Sequence, residues 1–164
     1  MIDTCAERGL GNRSLRDIAN EIGTSHRMLI HHFGSRDELM VAVVQAVEAR
    51  QGEVASTLSG PPATRMNQMW DHLSDPSLRA MERLFFESYA RGANGEAPFD
   101  QLHPGAVDVW LRAEPGAEAD VDPALARLAL AVIRGLLLDL VATGARAETT
   151  AALHHFVELL HRSA

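Results

Sequence analysis

Apolar residues recur at helical spacing along most of the chain. The first clear run is Leu15, Ile18, Ala19 and Ile22, at i, i+3, i+4 and i+7, which makes one face of a short helix. Gly23 follows at once, where a sharp turn needs a residue free to take positive φ. Ser25 is placed to cap a second helix by accepting from its first free N–H groups. That helix, about nine residues long, buries Leu29 and Phe33 at i, i+4. Arg27 and His31 point the opposite way on the wheel, with Met28 and Ile30 on the flanks. A helix so short, with a thin apolar seam and a polar outer face, is poorly suited to a purely core role. It is suited to lying in a DNA major groove, as the second helix of a helix-turn-helix does.

The pattern continues helical downstream. Ser35 with Glu38 has capping-box spacing and starts a helix whose apolar face is Leu39, Val43, Ala46 and Val47, running to about Thr57. Ser59-Gly60-Pro61-Pro62 breaks it. A short helix from Thr64 to Leu73 carries Met66, Met69 and Trp70. Asp75 as N-cap and Pro76 in the first turn open another, to about Arg91, with Leu78, Met81, Leu84, Phe85, Ser88 and Tyr89. Gly92 to Pro98 reads as a loop, Val107 to Leu111 as a shorter helix with Trp110, and Ala113 to Val121 as a second loop. Asp122-Pro123 repeats the capping device and begins the most apolar helix, to about Thr143, ended by Gly144. A final helix spans about Ala147 to Arg162. No strand-like alternation stands out, so the fold class is all-α.

The stretch SLRDIANEIGTSHRMLIHHFGSRDEL resembles the DNA-binding signature of the TetR family of bacterial transcriptional regulators. The matching points are Ile18-Ala19, Gly23, Ser25, Leu29, His32-Phe33 and the Arg36-Asp37-Glu38-Leu39 start of the next helix. Two departures stand out. The family usually has Tyr where this chain has Ile30; a phenol there would hydrogen-bond a phosphate, and Ile cannot. Met1 to Arg8 supply only the last turns of the family's first helix, with Cys5 where a large apolar residue is common. The resemblance implies a three-helix helix-turn-helix DNA-binding domain over residues 1–50, its first helix incomplete. It implies a helical ligand-binding and dimerisation domain over residues 51–164. The expected DNA-contacting set is Ser14, Arg16, Ser25, His26, Arg27, Met28, Ile30, His31, His32 and Arg36. Arg27 and His31 are expected at base edges, Ser14, Ser25 and Arg36 at phosphates, and Arg16 at either.

Within the penultimate helix Ala131 and Gly135 are four apart on one face, a spacing that lets another helix approach closely. Gly in mid-helix costs ~1 kcal/mol relative to Ala, which points to a packing reason. The run IRGLLLDL is similar to the family's dimerisation helix, which pairs with the last helix and its symmetry mates as a four-helix bundle. The expected homodimer interface is Ala131, Gly135, Leu138, Leu153, Phe156 and Leu160; the alternative is an ordinary buried hairpin of a monomer. The central set Met66, Met69, Trp70, Phe85, Phe86, Tyr89, His103 and Trp110 reads either as core or as the lining of a pocket for a small hydrophobic molecule, with Tyr89 and His103 orienting it.

Composition changes this picture little. A hydrophobic content of 46% excludes a disordered chain, and the net charge of −7 argues against a generic nucleic-acid binder. The charge is uneven: residues 1–50 carry six Arg against seven acids, and residues 51–164 carry nine against fifteen. A near-neutral end on an acidic body is compatible with touching DNA at one end, and equally with any acidic soluble protein. The one cysteine, Cys5, excludes an intramolecular disulfide and reads as a small core residue rather than a thiol switch. The longest apolar run, Leu125 to Val141, is interrupted by Arg127, Arg134 and Asp139, so no membrane span and a cytoplasmic location are expected. His154, Glu158 and His161 share helical spacing but read as a solvated face, with no metal or other cofactor expected. No nucleophile elbow, P-loop, dinucleotide fingerprint or HExxH motif is present, which leaves an enzyme a distant third reading. The expected function is a ligand-responsive repressor, released from its double-stranded operator by a small hydrophobic molecule. The runner-up is a helical small-molecule-binding protein that has lost DNA binding.

Overall fold

A computed structural model describes residue 5, residues 13–102 and residues 122–163, apart from the side chains of residues 161 and 163. Among the described residues there are seven α-helices: α1 Leu15–Glu21, α2 His26–Phe33, α3 Arg36–Thr57, α4 Pro62–Leu73, α5 Arg79–Ala93, α6 Pro123–Thr143 and α7 Arg146–Ser163. Two 3-10 segments, Pro76–Leu78 and Phe99–Leu102, flank α5. The fold is all-α, as the hydrophobic pattern predicts. The expected helix at Val107 to Leu111 and the loop at Ala113 to Val121 lie outside the described residues, as do His103 and Trp110. So does nearly all of the partial helix expected over Met1 to Arg8, where only Cys5 is described, helical and buried.

Two compact units emerge: Met1–Arg50 with Ser77–Ala106, and Gln51–Pro76 with Val107–Ala164. The sequence reading placed everything after residue 50 in one body. Residues 77–102 pack with residues 13–50, because Met81, Leu84, Phe99 and Leu102 join Leu15, Ile18, Ala19, Leu29 and Leu39 in one apolar cluster. This also explains why α3 buries more than one face. Leu39 and Val43 are buried as predicted, and so are Met40, Val41 and Val44, whose side chains project from other sides of the helix.

The start of α5 differs from expectation. Pro76–Leu78 is a 3-10 turn, and α5 begins only at Arg79, with Leu78 rather than Asp75 at its N-cap. Phe99 was not singled out from the sequence, yet it is fully buried, and the Arg91 guanidinium lies 3.9 Å from its ring centroid.

In the second unit α4 presents Met66, Met69, Trp70 and Leu73 at i, i+3, i+4 and i+7, all buried, and packs against α7. Trp70 has no accessible surface, and its indole N–H donates to Thr150 Oγ1 at 2.8 Å. Helices α6 and α7 pack together, and Ile133, Leu137 and Leu140 of α6 and Leu153 and Val157 of α7 are buried. The N-cap of α6 is Asp122, accepting from the Ala124 N–H at 2.9 Å, and Gly144 ends the helix. No described helix is long and apolar enough to cross a membrane.

Candidate nucleic-acid interface

Local chemistry fixes the first two helices. Ser14 caps α1: its hydroxyl accepts from the Asp17 N–H, and the Asp17 carboxylate accepts from the Ser14 backbone N–H at 3.1 Å. The Ser14 hydroxyl also donates to the Asp17 carboxylate at 2.6 Å, and that bond first, then the one from the Ser14 backbone N–H, holds the Asp17 carboxyl below its ordinary pKa. Ser14 thus has a capping role beside the phosphate contact expected of it. After α1 the chain turns at Gly23, with φ of 73°, a region that disfavours any residue with a Cβ. Ser25 then caps α2, its hydroxyl accepting from the Met28 N–H at 3.2 Å. Gly34 ends α2 with φ of 78°, a second positive-φ position that the sequence reading passed over.

The turn fixes which side of α2 faces in. Leu29 is completely buried and Phe33 half-buried against the cluster. His26, Arg27, Met28, Ile30, His31 and His32 are all exposed, and Arg16 is exposed on α1. One helix therefore presents to solvent six of the ten residues expected to meet DNA, with no acid among them. Ser14 and Ser25 are exposed as well, at the N-caps of α1 and α2.

Arg36 departs from expectation. Its Nε donates to the Arg13 carbonyl at 3.0 Å, and another of its nitrogens lies 3.0 Å from the Met40 sulfur. The half-buried guanidinium is thus turned into its own unit, where it ties the start of α3 to the residue before the α1 cap. Its structure supports a positioning role rather than a phosphate contact. Next to it, Asp37 accepts two bonds from Arg91 at 2.8 and 3.1 Å. Arg91 also bonds Glu96 and covers the Phe99 ring. The bidentate pairing holds the Asp37 carboxyl below its usual range and raises the Arg91 pKa. This clamp joins residues 77–102 to the helix that follows α2. Sequence reasoning missed it because the partners lie 54 residues apart.

Residues 3–43 match the model of the family described as bacterial regulatory proteins, tetR family. This stretch is similar to the N-terminal domain of the tetR family. The matched stretch contains the whole α1–turn–α2 unit and the start of α3, and with it every expected DNA contact. The tetR-family match supports a DNA-binding transcriptional regulator. No curated protein and no solved structure gives a significant match to the chain.

The other expected sites divide. Met66, Met69 and Trp70 belong to the second unit and are buried in it, while Phe85, Phe86 and Tyr89 belong to the first and are half-buried. Trp70 has no accessible surface, and its N–H is bonded to Thr150. Phe85 and Tyr89 stack at 5.4 Å between ring centroids, and Phe86 meets Phe85 edge-on at 5.2 Å. Of the expected interface, Ala131, Gly135 and Leu138 are exposed, and Phe156 and Leu160 are half-buried. Leu153 is fully buried inside its own unit and offers a partner no surface. Leu128, which the sequence reading left out, is half exposed at 50% and lies in line with Ala131, Gly135 and Leu138 at i, i+3, i+7 and i+10. No group of His, Cys, Asp or Glu suited to a metal ion occurs among the described residues.

Proposed function

We propose that the protein is a homodimeric transcriptional repressor that holds a double-stranded operator through α2 and releases it when a small hydrophobic molecule binds. The observation that carries this reading is the outward face of α2. It is an eight-residue helix inside the tetR-family match, with only Leu29 buried and Arg27 and His31 on its outermost side. Arg27 and His31 meet base edges, Ser14 and Ser25 meet phosphates, and Arg16 meets either. Arg36 positions the Arg13–Ser14 corner instead.

The dimer reading rests on α6. Leu128, Ala131, Gly135 and Leu138 form an exposed apolar seam at alternating spacings of three and four. Apart from its chain neighbours and the backbone of its own helical turns, no atom of the described residues lies within 4 Å of where a Cβ on Gly135 would sit. The packing reason for a mid-helix glycine is therefore sought outside the chain. In such a dimer the two copies of α2 must stand about one DNA turn apart, ~34–36 Å. A ligand that binds better to a state with another separation weakens DNA binding by that preference alone. The half-buried aromatic group Phe85, Phe86 and Tyr89 offers such a molecule flat apolar contacts.

The runner-up reading, a helical binding protein without DNA function, draws on Ile30, which cannot bond a phosphate as the family's tyrosine would. A mobility shift on the promoter beside the protein's own gene separates the two. A discrete complex that survives competition by random duplex supports the repressor; its absence supports the runner-up.

A further inference from the structure

Six large apolar side chains are exposed among the described residues, and they concentrate in two places. Leu125, Leu128, Leu138 and Leu159 lie on α6 and α7; the other two, Met28 at 44% and Ile30 at 40%, bracket the completely buried Leu29 on α2. Single exposed apolar residues need no explanation. This pair sits at either flank of the ridge made by Arg27 and His31, since each residue turns the helix by about 100°. The flanks of a helix seated in the major groove meet either phosphates or base edges. Neither Met28 nor Ile30 has a side-chain N–H or O–H to give a phosphate, and covering a phosphate with hydrocarbon would strip its water without replacing it. The apolar group that the major groove offers is the C5-methyl of thymine.

We infer that Met28 and Ile30 read thymine methyl groups, so that thymines in the operator lie under both flanks of α2; this rests on the DNA-binding reading above. Ile30, β-branched and held to one rotamer in a helix, gives the sharper discrimination. Met28, unbranched and flexible, tolerates a shifted methyl better. The two side chains thus supply sequence preference at the positions where donors are missing.

The test uses the full chain and a duplex that it selects from a random pool. Each thymine is replaced singly by uracil, which removes only the methyl. At thymines under α2 the wild-type chain should bind about fourfold more weakly, the equivalent of one buried carbon at ~0.8 kcal/mol. Met28→Ala and Ile30→Ala should each erase the uracil penalty at their own positions, while Arg27→Ala keeps it. Sequence-preferring binding that is indifferent to uracil at every position would overturn the thymine inference and leave the DNA-binding reading standing. A uracil penalty that persists unchanged in both alanine variants would overturn it as well. If no duplex is selected at all, the DNA-binding reading fails and takes this inference with it.

Discussion

Helices α2 and α6 both leave large apolar side chains in solvent, but they do so in different company. On α6 every position of the exposed row Leu128, Ala131, Gly135 and Leu138 is apolar, and the exposed charges Arg127 and Asp139 lie at its edges. On α2, Met28 and Ile30 lie on either side of the ridge of Arg27 and His31, and the helix has no acid. A continuous apolar seam is covered best by another seam of the same kind, which two-fold symmetry supplies from a second copy. An apolar pair divided by a cation suits a partner that offers negative charge and methyl groups side by side. The contrast teaches that exposure alone does not name a partner; the residues between the exposed ones do.

The largest effects should separate neighbours on the same helix. Leu29→Ala and Leu137→Ala remove side chains buried in their units and should each cost ~2–5 kcal/mol of stability. Met28→Ala and Leu138→Ala, one residue away, remove exposed side chains and should stay within ~0.5 kcal/mol per chain at concentrations where the protein is monomeric. Denaturant titration of the four variants checks this. Equal losses within either pair would show that the exposed row is not free surface.

Next in size, Gly135→Leu places a large side chain where two copies of α6 would meet, and overpacking costs ~1–3 kcal/mol at each of two symmetric sites. Light scattering should find the wild type dimeric and the variant shifted towards monomer. Gly135→Ala, by contrast, should raise helix stability by up to ~1 kcal/mol if the seam tolerates a methyl. A wild type that stays monomeric at roughly 10 μM would remove the comparison's second half.

The smallest effect concerns the clamp beneath the reading head. Asp37 has its carboxyl pKa lowered from 3.8, first by the bonds from Arg91. A depressed folded-state pKa gives stability that is present at neutral pH and lost as pH falls through the folded value. The pair is about one-third exposed, so its contribution is about 1 kcal/mol or less. Asp37→Asn should therefore lower the melting temperature slightly at pH 7 and much less at pH 3. A gap of equal size at both values would mean that charge at Asp37 does not matter.

Much of this was legible along the chain. Leu15, Ile18, Ala19 and Leu29 announce the first two helices, and Gly23 and Ser25 the turn between them, because these are local patterns read over a few residues. The ends of α3, α4 and α6 follow from Gly, Pro and capping residues for the same reason. What stayed hidden depends on distant partners. Nothing near Arg91 points to Asp37, and nothing near Phe99 shows that it is to be buried with Leu29 and Leu39. Nothing near Arg36 announces its bond to the Arg13 carbonyl, 23 residues away. The helical pattern marks Leu153 as apolar without showing that it is fully buried, because burial is decided by the helix that packs on it.

The proposed repressor meets DNA through the outward ridge of α2. The most direct test compares wild type and Arg27→Ala for binding to a selected operator and to random duplex of equal length, at one fixed salt concentration. The account predicts that Arg27→Ala loses about 1–3 kcal/mol, roughly 5- to 150-fold, on the operator and far less on random duplex, with preference relaxed at one base-pair position. Equal losses on both duplexes would reduce Arg27 to a phosphate contact, and an unchanged operator affinity would contradict the account outright.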